Sequence, residues 1–196
     1  MGLARRDTIH HTYGDYLRWP EDVRYELIDG EAFMMAPTPD LEHQEVAGEV
    51  FRQLANTLAD GPCRALIAPV DVRLPRLNEA DDQIDTVVQP DVLVVCDPLR
   101  LDRRGVRGAP DLVVEVLSRS TASHDHVRKR QVYERAGVKE YWLVHPTDRM
   151  VTIYRLVEGA YGKPDVQELQ GETAVGVLPD VAIAWDALVA RLAPVE

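Results

Sequence analysis

Glu115 stands in the middle of Leu112-Val113-Val114-Glu115-Val116-Leu117, an otherwise apolar string. Strand alternation puts Asp111, Val113 and Glu115 on one side and Leu112, Val114 and Val116 on the other. So apolar a strand is expected to be buried, where a carboxylate is costly unless it is paired or holds a cation. A second apolar string, Val92 to Cys96, is preceded by Pro90-Asp91. Two isolated carboxylates on neighbouring core strands point to a site for a hard divalent cation. Mg²⁺ or Mn²⁺ is bound by such oxygens together with water and substrate phosphate. An ion of this kind polarises a phosphodiester and lowers the pKa of the attacking water. The chemistry also needs a cation near the developing charge. Lys129 is the best placed candidate, one helical turn beyond Asp125 and one before Tyr133, so that all three share a face. The bland alternatives are an exposed Asp125–Lys129 ion pair and a Pro-Asp turn opening a strand at Asp91. Glu115 has no equally simple structural account.

The elements that must position these residues follow from periodicity and turn chemistry. Thr12 to Trp19 reads as a short helix ending before Pro20. Val23 to Met35 reads as a hairpin turning at Asp29-Gly30. Asp40 can cap a helix reaching about Leu58, with Val46 or Ala47, Val50, Phe51, Leu54 and Leu58 at helical spacing. Strands are expected at Cys63–Leu74, Thr86–Cys96, Leu112–Leu117, Glu140–Val144 and Met150–Val157. An acidic loop lies at Asn78–Gln83 and an Arg-rich loop between the Asp91 and Glu115 strands. Ser120, Thr121 or Ser123 can cap a helix running to about Ala136, with Gly137 as its stop. An edge hairpin at Tyr161–Gln170 and a terminal helix at Trp185–Leu192 complete the chain. Interleaved helices and strands, with several strands joined by turns, predict a mixed central sheet flanked by helices, in the α/β or α+β class. With no repeat or linker to divide them, residues 1–196 read as a single domain.

Composition narrows the function. A formal net charge of −11 argues against a nonspecific nucleic-acid coat, yet leaves room for one local basic face. Two clusters offer it: Arg100, Arg103, Arg104 and Arg107, then Arg128, Lys129 and Arg130. Each is equally readable as a solvated face. No apolar run approaches the roughly 20 residues of a membrane span, and no secretory or myristoylation signal is seen at the N-terminus. Cys63 and Cys96 are read as reduced thiols in buried strands of a cytoplasmic protein. The six histidines show no HxxxH or HExxH spacing on a helix, which disfavours zinc. His43 approaches the cleft if its helix docks on the Asp91 strand, and otherwise serves as a helix-start surface group. No G-x-S-x-G elbow, P-loop or G-x-G-x-x-G string occurs. Tyr141 and Trp142 read as core aromatics rather than a base-stacking platform.

At these residues the chain resembles a known family. Pro90-Asp91-Val-Leu-Val-Val, PDLVVEVLS from Pro110 to Ser118, Ser-x-Thr121, Asp125-x3-Lys129-x3-Tyr133 and AGVKEYWLVHP from Ala136 to Pro146 look like the Uma-two family. The hairpin YELIDGE from Tyr25 to Glu31 and the His43-Gln44 pair match as well. That group is restriction-endonuclease-like and belongs to the PD-(D/E)XK nuclease superfamily. The resemblance implies that Asp91 and Glu115 hold Mg²⁺ or Mn²⁺, with the Val116 carbonyl as a further ligand, in an endonuclease that hydrolyses DNA. The common pattern has Lys two residues after the second acid, where this chain has Leu117; Lys129 on the following helix would be its stand-in. The superfamily's additional acid corresponds to Glu45 or Glu49, with Glu26 and His43 as other contributors. Arg104, Arg107, Arg128 and Arg130 would contact phosphates. A homodimer is expected by analogy alone. The alternative is a catalytically inactive relative acting as a DNA- or protein-binding module, or a hydrolase of another phosphoester.

Overall fold

The computed structural model describes residues 9–20, 23–35, 40–118 and 124–192, and for residues 124–126 the backbone alone. The elements, in chain order, are α1 (Tyr13–Tyr16), β1 (Tyr25–Ile28), β2 (Glu31–Met34), α2 (Leu41–Thr57), β3 (Arg64–Ile67), β4 (Val72–Arg73), β5 (Val87–Val88) and β6 (Val92–Val95). There follow β7 (Leu101–Asp102), β8 (Gly105–Arg107), β9 (Leu112–Val116), α3 (Arg130–Ala136), β10 (Glu140–His145) and β11 (Met150–Val157). The last are β12 (Ala160–Tyr161), β13 (Asp165–Glu168), β14 (Glu172–Ala174), β15 (Ala182–Ala184) and α4 (Asp186–Val189).

The strands form a seven-stranded sheet, a six-stranded sheet and a two-stranded β14–β15 ribbon. The larger sheet runs β12-β11-β10-β9-β6-β3, with β13 added on β11. It is mixed: β9 and β10 pair in parallel, while β9 pairs antiparallel with β6. α2 lays Val46, Ala47, Val50 and Leu54 on the Val92, Val94, Val114 and Trp142 face of this sheet. On the other face Val132 and Tyr133 of α3 meet Leu93, Val113, Tyr141 and Leu143. Each fully buried Val or Leu contributes roughly 1.5–3 kcal/mol through transfer from water, so the two apolar faces fix both helices against the sheet.

Local chemistry explains the boundaries. Asp40 caps α2 by accepting from the His43 N–H. The β1–β2 turn puts Asp29 and Gly30 at φ 52° and 78°, the paired left-handed conformation that such a hairpin needs. Gly137, at φ 89°, ends α3 as expected. Tyr141 and Trp142 are fully buried core aromatics.

Several expectations are corrected. The Cys63–Leu74 and Thr86–Cys96 strands each divide in two, and the halves join different sheets. Pro69 and Pro90 fall at the divisions, where a residue without an N–H cannot extend a ladder. β12 and β13 pair not with each other but with opposite halves of the eight-residue β11, so the Tyr161–Gln170 hairpin does not form. The Arg-rich loop contains the β7–β8 hairpin. α1 and α4 are single turns, shorter than the periodicity suggested. Cys63 and Cys96 are not reduced thiols: they form a disulfide, since the Arg64↔Val95 register of β3 and β6 sets them opposite one another. The proposed caps Ser120, Thr121 and Ser123 lie outside the described residues.

Candidate active site

β6 and β9 pair Val92 with Val114 and Leu93 with Val113. Asp91 comes immediately before β6 and Glu115 immediately after Val114 on β9, at the end of the sheet that His43 of α2 and Lys129 ahead of α3 reach. The Asp91 carboxylate is tied to both neighbours. Its Oδ2 accepts from the backbone N–H of Val116 at 2.8 Å and lies 3.1 Å from Nε2 of His43. His43 reaches it from the first turn of α2, which the Asp40 cap holds in place.

Glu115 is 2 % exposed and receives two donors on one oxygen. The Lys129 Nζ lies 3.0 Å from Oε1, and the Tyr133 hydroxyl donates to the same atom at 2.7 Å. Lys129 also sits 2.9 Å from Oε1 of Glu26 on β1. That Glu26 oxygen accepts the Gln89 N–H at 2.8 Å. A buried ammonium therefore bridges two buried carboxylates, with Tyr133 and Gln89 supplying further hydrogen bonds. Burial, then the negative charges of Glu115 and Glu26, push the Tyr133 phenol well above its ordinary range. Tyr133 thus remains a hydrogen-bond donor at any physiological pH.

The structure joins Glu26, Lys129 and Glu115 in one cluster and Asp91 with His43 in another, and sets other expected residues elsewhere. Residues 124–129 form a wide π-helical segment ahead of α3, and the side chain of Asp125 is outside the described residues. Glu49 is bound by Arg52, Gln53 and Arg191, on the α4 side of α2. Hydrogen bonds from Arg52 lower its pKa to about 2, against the opposing effect of burial. Glu45 is partly buried on α2. Arg107 is engaged by Asp81 and the Glu79 carbonyl. Arg128 lies over the Phe33 ring and reaches Glu31, and Arg130 lies over Tyr154 beside Glu134. Arg104 lines a separate cleft beside the β7–β8 turn. At Val116 it is the N–H that touches Asp91.

Sequence reasoning overlooked Gln89 and the bond from Tyr133 to Glu115. The shared face of Lys129 and Tyr133 was the one signal for the second. For Gln89, only its position two residues before Asp91 pointed to the site.

Among the described residues, no cluster of three His, Cys, Asp or Glu side chains forms a ready cage for a metal. The donor set nonetheless fits a hard divalent ion, because Mg²⁺ usually takes one or two carboxylates and completes its shell with water and phosphate. Glu115 on β9 and Asp91 just before β6, the latter held by the Val116 N–H, would be its carboxylates.

A mixed sheet with acids at the end of two neighbouring strands, and a lysine brought in from the following helix, defines a restriction-endonuclease-like α+β protein. Sequence and structure comparisons place it more closely. The profile of the Uma2 family, described as "Putative restriction endonuclease", matches residues 13–186, and the chain belongs to this family. It is 30% identical over 145 residues to "Uncharacterized protein slr1290" of Synechocystis sp., a match covering 71% of each chain. It shares its fold with the crystal structure titled a putative nuclease belonging to DUF820 from Anabaena variabilis. That superposition has a TM-score of 0.73 at 19% identity, over 93% of this chain and 99% of the other. No helix of the described residues is long and apolar enough to cross a membrane.

Proposed function

We propose that this protein is a Mg²⁺- or Mn²⁺-dependent endonuclease that hydrolyses DNA phosphodiester bonds. The observation that carries the reading is the convergence of Lys129 on Glu115, on the strand beside Asp91. Asp91 and Glu115 would hold the ion, with the Val116 carbonyl as a further oxygen. When bound, the ion supplies Lewis-acid activation of the phosphate and of the attacking water.

The chain's own residues do the rest. Val116 N–H and His43 orient the Asp91 carboxylate; Tyr133 and Lys129 orient that of Glu115. The Lys129 ammonium offsets negative charge gathering on the phosphoryl oxygens and positions the nucleophilic water by hydrogen bonding. Glu26 and Gln89 fix the place of the ammonium. Arg128, partly exposed over Phe33, and Arg104 are the arginines best situated to meet phosphates, locally offsetting the acidic body. A homodimer, which would present two sites to two strands, belongs to the same proposal.

Two observations favour a second reading, a non-catalytic DNA- or protein-binding module. Lys129 already supplies a positive charge between Glu26 and Glu115. Leu117 also occupies the position where the common pattern has its lysine.

The test is nicking of supercoiled plasmid in Mg²⁺ or Mn²⁺ by wild type, Glu115→Ala and Lys129→Ala. The nuclease reading expects cutting by wild type alone. Equal traces from all three would mean contamination, and DNA binding without metal-dependent cutting would establish the module.

A further inference from the structure

Beside the acid cluster lies a cleft of about 770 Å³ from which the proposed chemistry draws only Arg104. Its wall is aromatic. Tyr16 and Trp19 have ring centroids 5.6 Å apart, and Trp19 and Tyr25 meet edge-on at 4.9 Å. Its floor is polar: the Gln89 amide donates to Asp71 Oδ1 at 2.8 Å and to the Tyr16 hydroxyl at 3.1 Å. The Tyr16 hydroxyl donates to that same Asp71 oxygen at 3.0 Å, and Arg24 caps the Gln89 carbonyl oxygen. Its rim is cationic, with exposed Arg103 and Arg104 at the turn between β7 and β8.

The rim is built rather than incidental. Fully buried Arg73 pairs with Asp102 at the start of that turn. Gly105, at φ 111°, lets the turn approach the Asp71 carbonyl so closely that a Cβ would collide with it. The turn carrying Arg103 and Arg104 is thereby pinned against the cleft floor. Gln89 joins the two regions, with its backbone N–H on Glu26 and its side chain on the cleft floor.

We infer that this cleft binds an unpaired nucleotide of a single-stranded or locally opened nucleic acid, next to the scissile phosphate. A nucleobase offers a π-face to Trp19 and N–H donors to the Asp71 carboxylate, and the strand offers phosphates to Arg103 and Arg104. A paired base in an intact duplex has both faces covered by its neighbours and cannot enter. On an acidic chain with a net charge of −11, this concentration of arginine beside aromatic rings matches the chemistry of a base with its phosphate. The inference names a substrate class and rests on the nuclease reading for the neighbouring site.

Trp19 makes the test direct. The chain has three tryptophans, and Trp142 and Trp185 are fully buried, so quenching by a ligand reports Trp19. In EDTA, wild type is titrated with a labelled single-stranded DNA oligonucleotide, its duplex and a free mononucleotide, followed by tryptophan fluorescence and anisotropy. The oligonucleotide is expected to quench and bind more tightly than the duplex or mononucleotide. Trp19→Ala should weaken binding by about tenfold. The Arg103→Gln/Arg104→Gln double variant, altered only at exposed positions, should lower the slope of log affinity against log salt by about 1.4. Equal affinity for the duplex, wild-type binding by both variants, or a mononucleotide that binds as well as the oligonucleotide would each overturn the inference. Because no divalent ion is present, failure here is separable from failure of the plasmid-nicking test, which Glu115→Ala and Lys129→Ala address.

Discussion

Replacing Lys129 by Met keeps the volume and removes the charge, and the structure sets how much that should cost. Lys129 is 4 % exposed, Glu26 3 % and Glu115 2 %, with ammonium–carboxylate contacts of 2.9 and 3.0 Å. At an effective dielectric constant of about 20, each contact is worth roughly 5–6 kcal/mol of Coulomb attraction. Desolvation takes back several kcal/mol per ion, so the intact trio makes little net contribution. Removing the central cation leaves two buried carboxylates facing one another with the desolvation cost still present. The expected loss is about 3–5 kcal/mol, a large part of the roughly 5–15 kcal/mol that holds a domain folded. At roughly 2–4 °C per kcal/mol for a chain of this size, Tm falls by about 6–20 °C. Differential scanning calorimetry at neutral pH measures it. Adding Glu26→Gln to Lys129→Met removes one of the stranded charges while keeping an acceptor for the Gln89 N–H, and should recover part of the loss. A Tm change below about 2 °C, or a double variant no more stable than the single, would refute the idea that this ammonium neutralises a buried acid pair.

Other expectations follow from particular contacts. Reducing the Cys63–Cys96 disulfide, which closes a sequence separation of 33, should destabilise the fold by about 3–4 kcal/mol, read by urea unfolding with and without reductant. Glu49→Gln should cost about 1–3 kcal/mol at neutral pH, limited by screening at the largely exposed Arg52 partner. The Glu49 pKa is depressed to about 2, so its contribution is present above the ordinary value of 4.5 and lost as pH falls through 2. Unfolding curves of wild type and Glu49→Gln should therefore converge in acid. Burial holds the phenols of Tyr16, Tyr133 and Tyr161 above their ordinary value of 10.0. The protonated forms favour the folded state, so stability is complete below pH 10 and declines as pH rises beyond it. Ultraviolet titration should show these phenols ionising only together with unfolding.

How far the residues themselves revealed this arrangement depended on the range of the interactions. Local signals were reliable. Asp29-Gly30 specified the β1–β2 turn, Asp40 the start of α2 and Gly137 the end of α3, because each acts through its own backbone or its nearest neighbours. The apolar run around Glu115 marked a buried strand, and the helical spacing of Lys129 and Tyr133 brought both onto its carboxylate. Long-range pairings were opaque. Nothing local distinguishes an apolar run that changes sheet at Pro69 or Pro90 from one that continues, and partner choice depends on the whole topology. Nor could the Cys63–Cys96 bond be read without the β3–β6 register. Glu26 and Gln89 lie 63 residues apart; only the pairing of β1 with β5 makes them neighbours.

The arginines teach the converse. Arg100, Arg103, Arg104 and Arg107 form one cluster in the chain, yet Arg107 is consumed by Asp81 and Arg103 and Arg104 border a cleft. Proximity in sequence did not assign them one task. Charged runs are divided by the turns that carry them.

The proposed chemistry depends most directly on whether Asp91 and Glu115 hold one ion between them. Crystals soaked in Mn²⁺ and measured at its absorption edge would locate it. The expected result is a single anomalous peak within about 2.0–2.2 Å of an oxygen from each carboxylate, absent in Asp91→Asn. An empty acid pair beside a protein that still cuts DNA in Mn²⁺ would contradict the account.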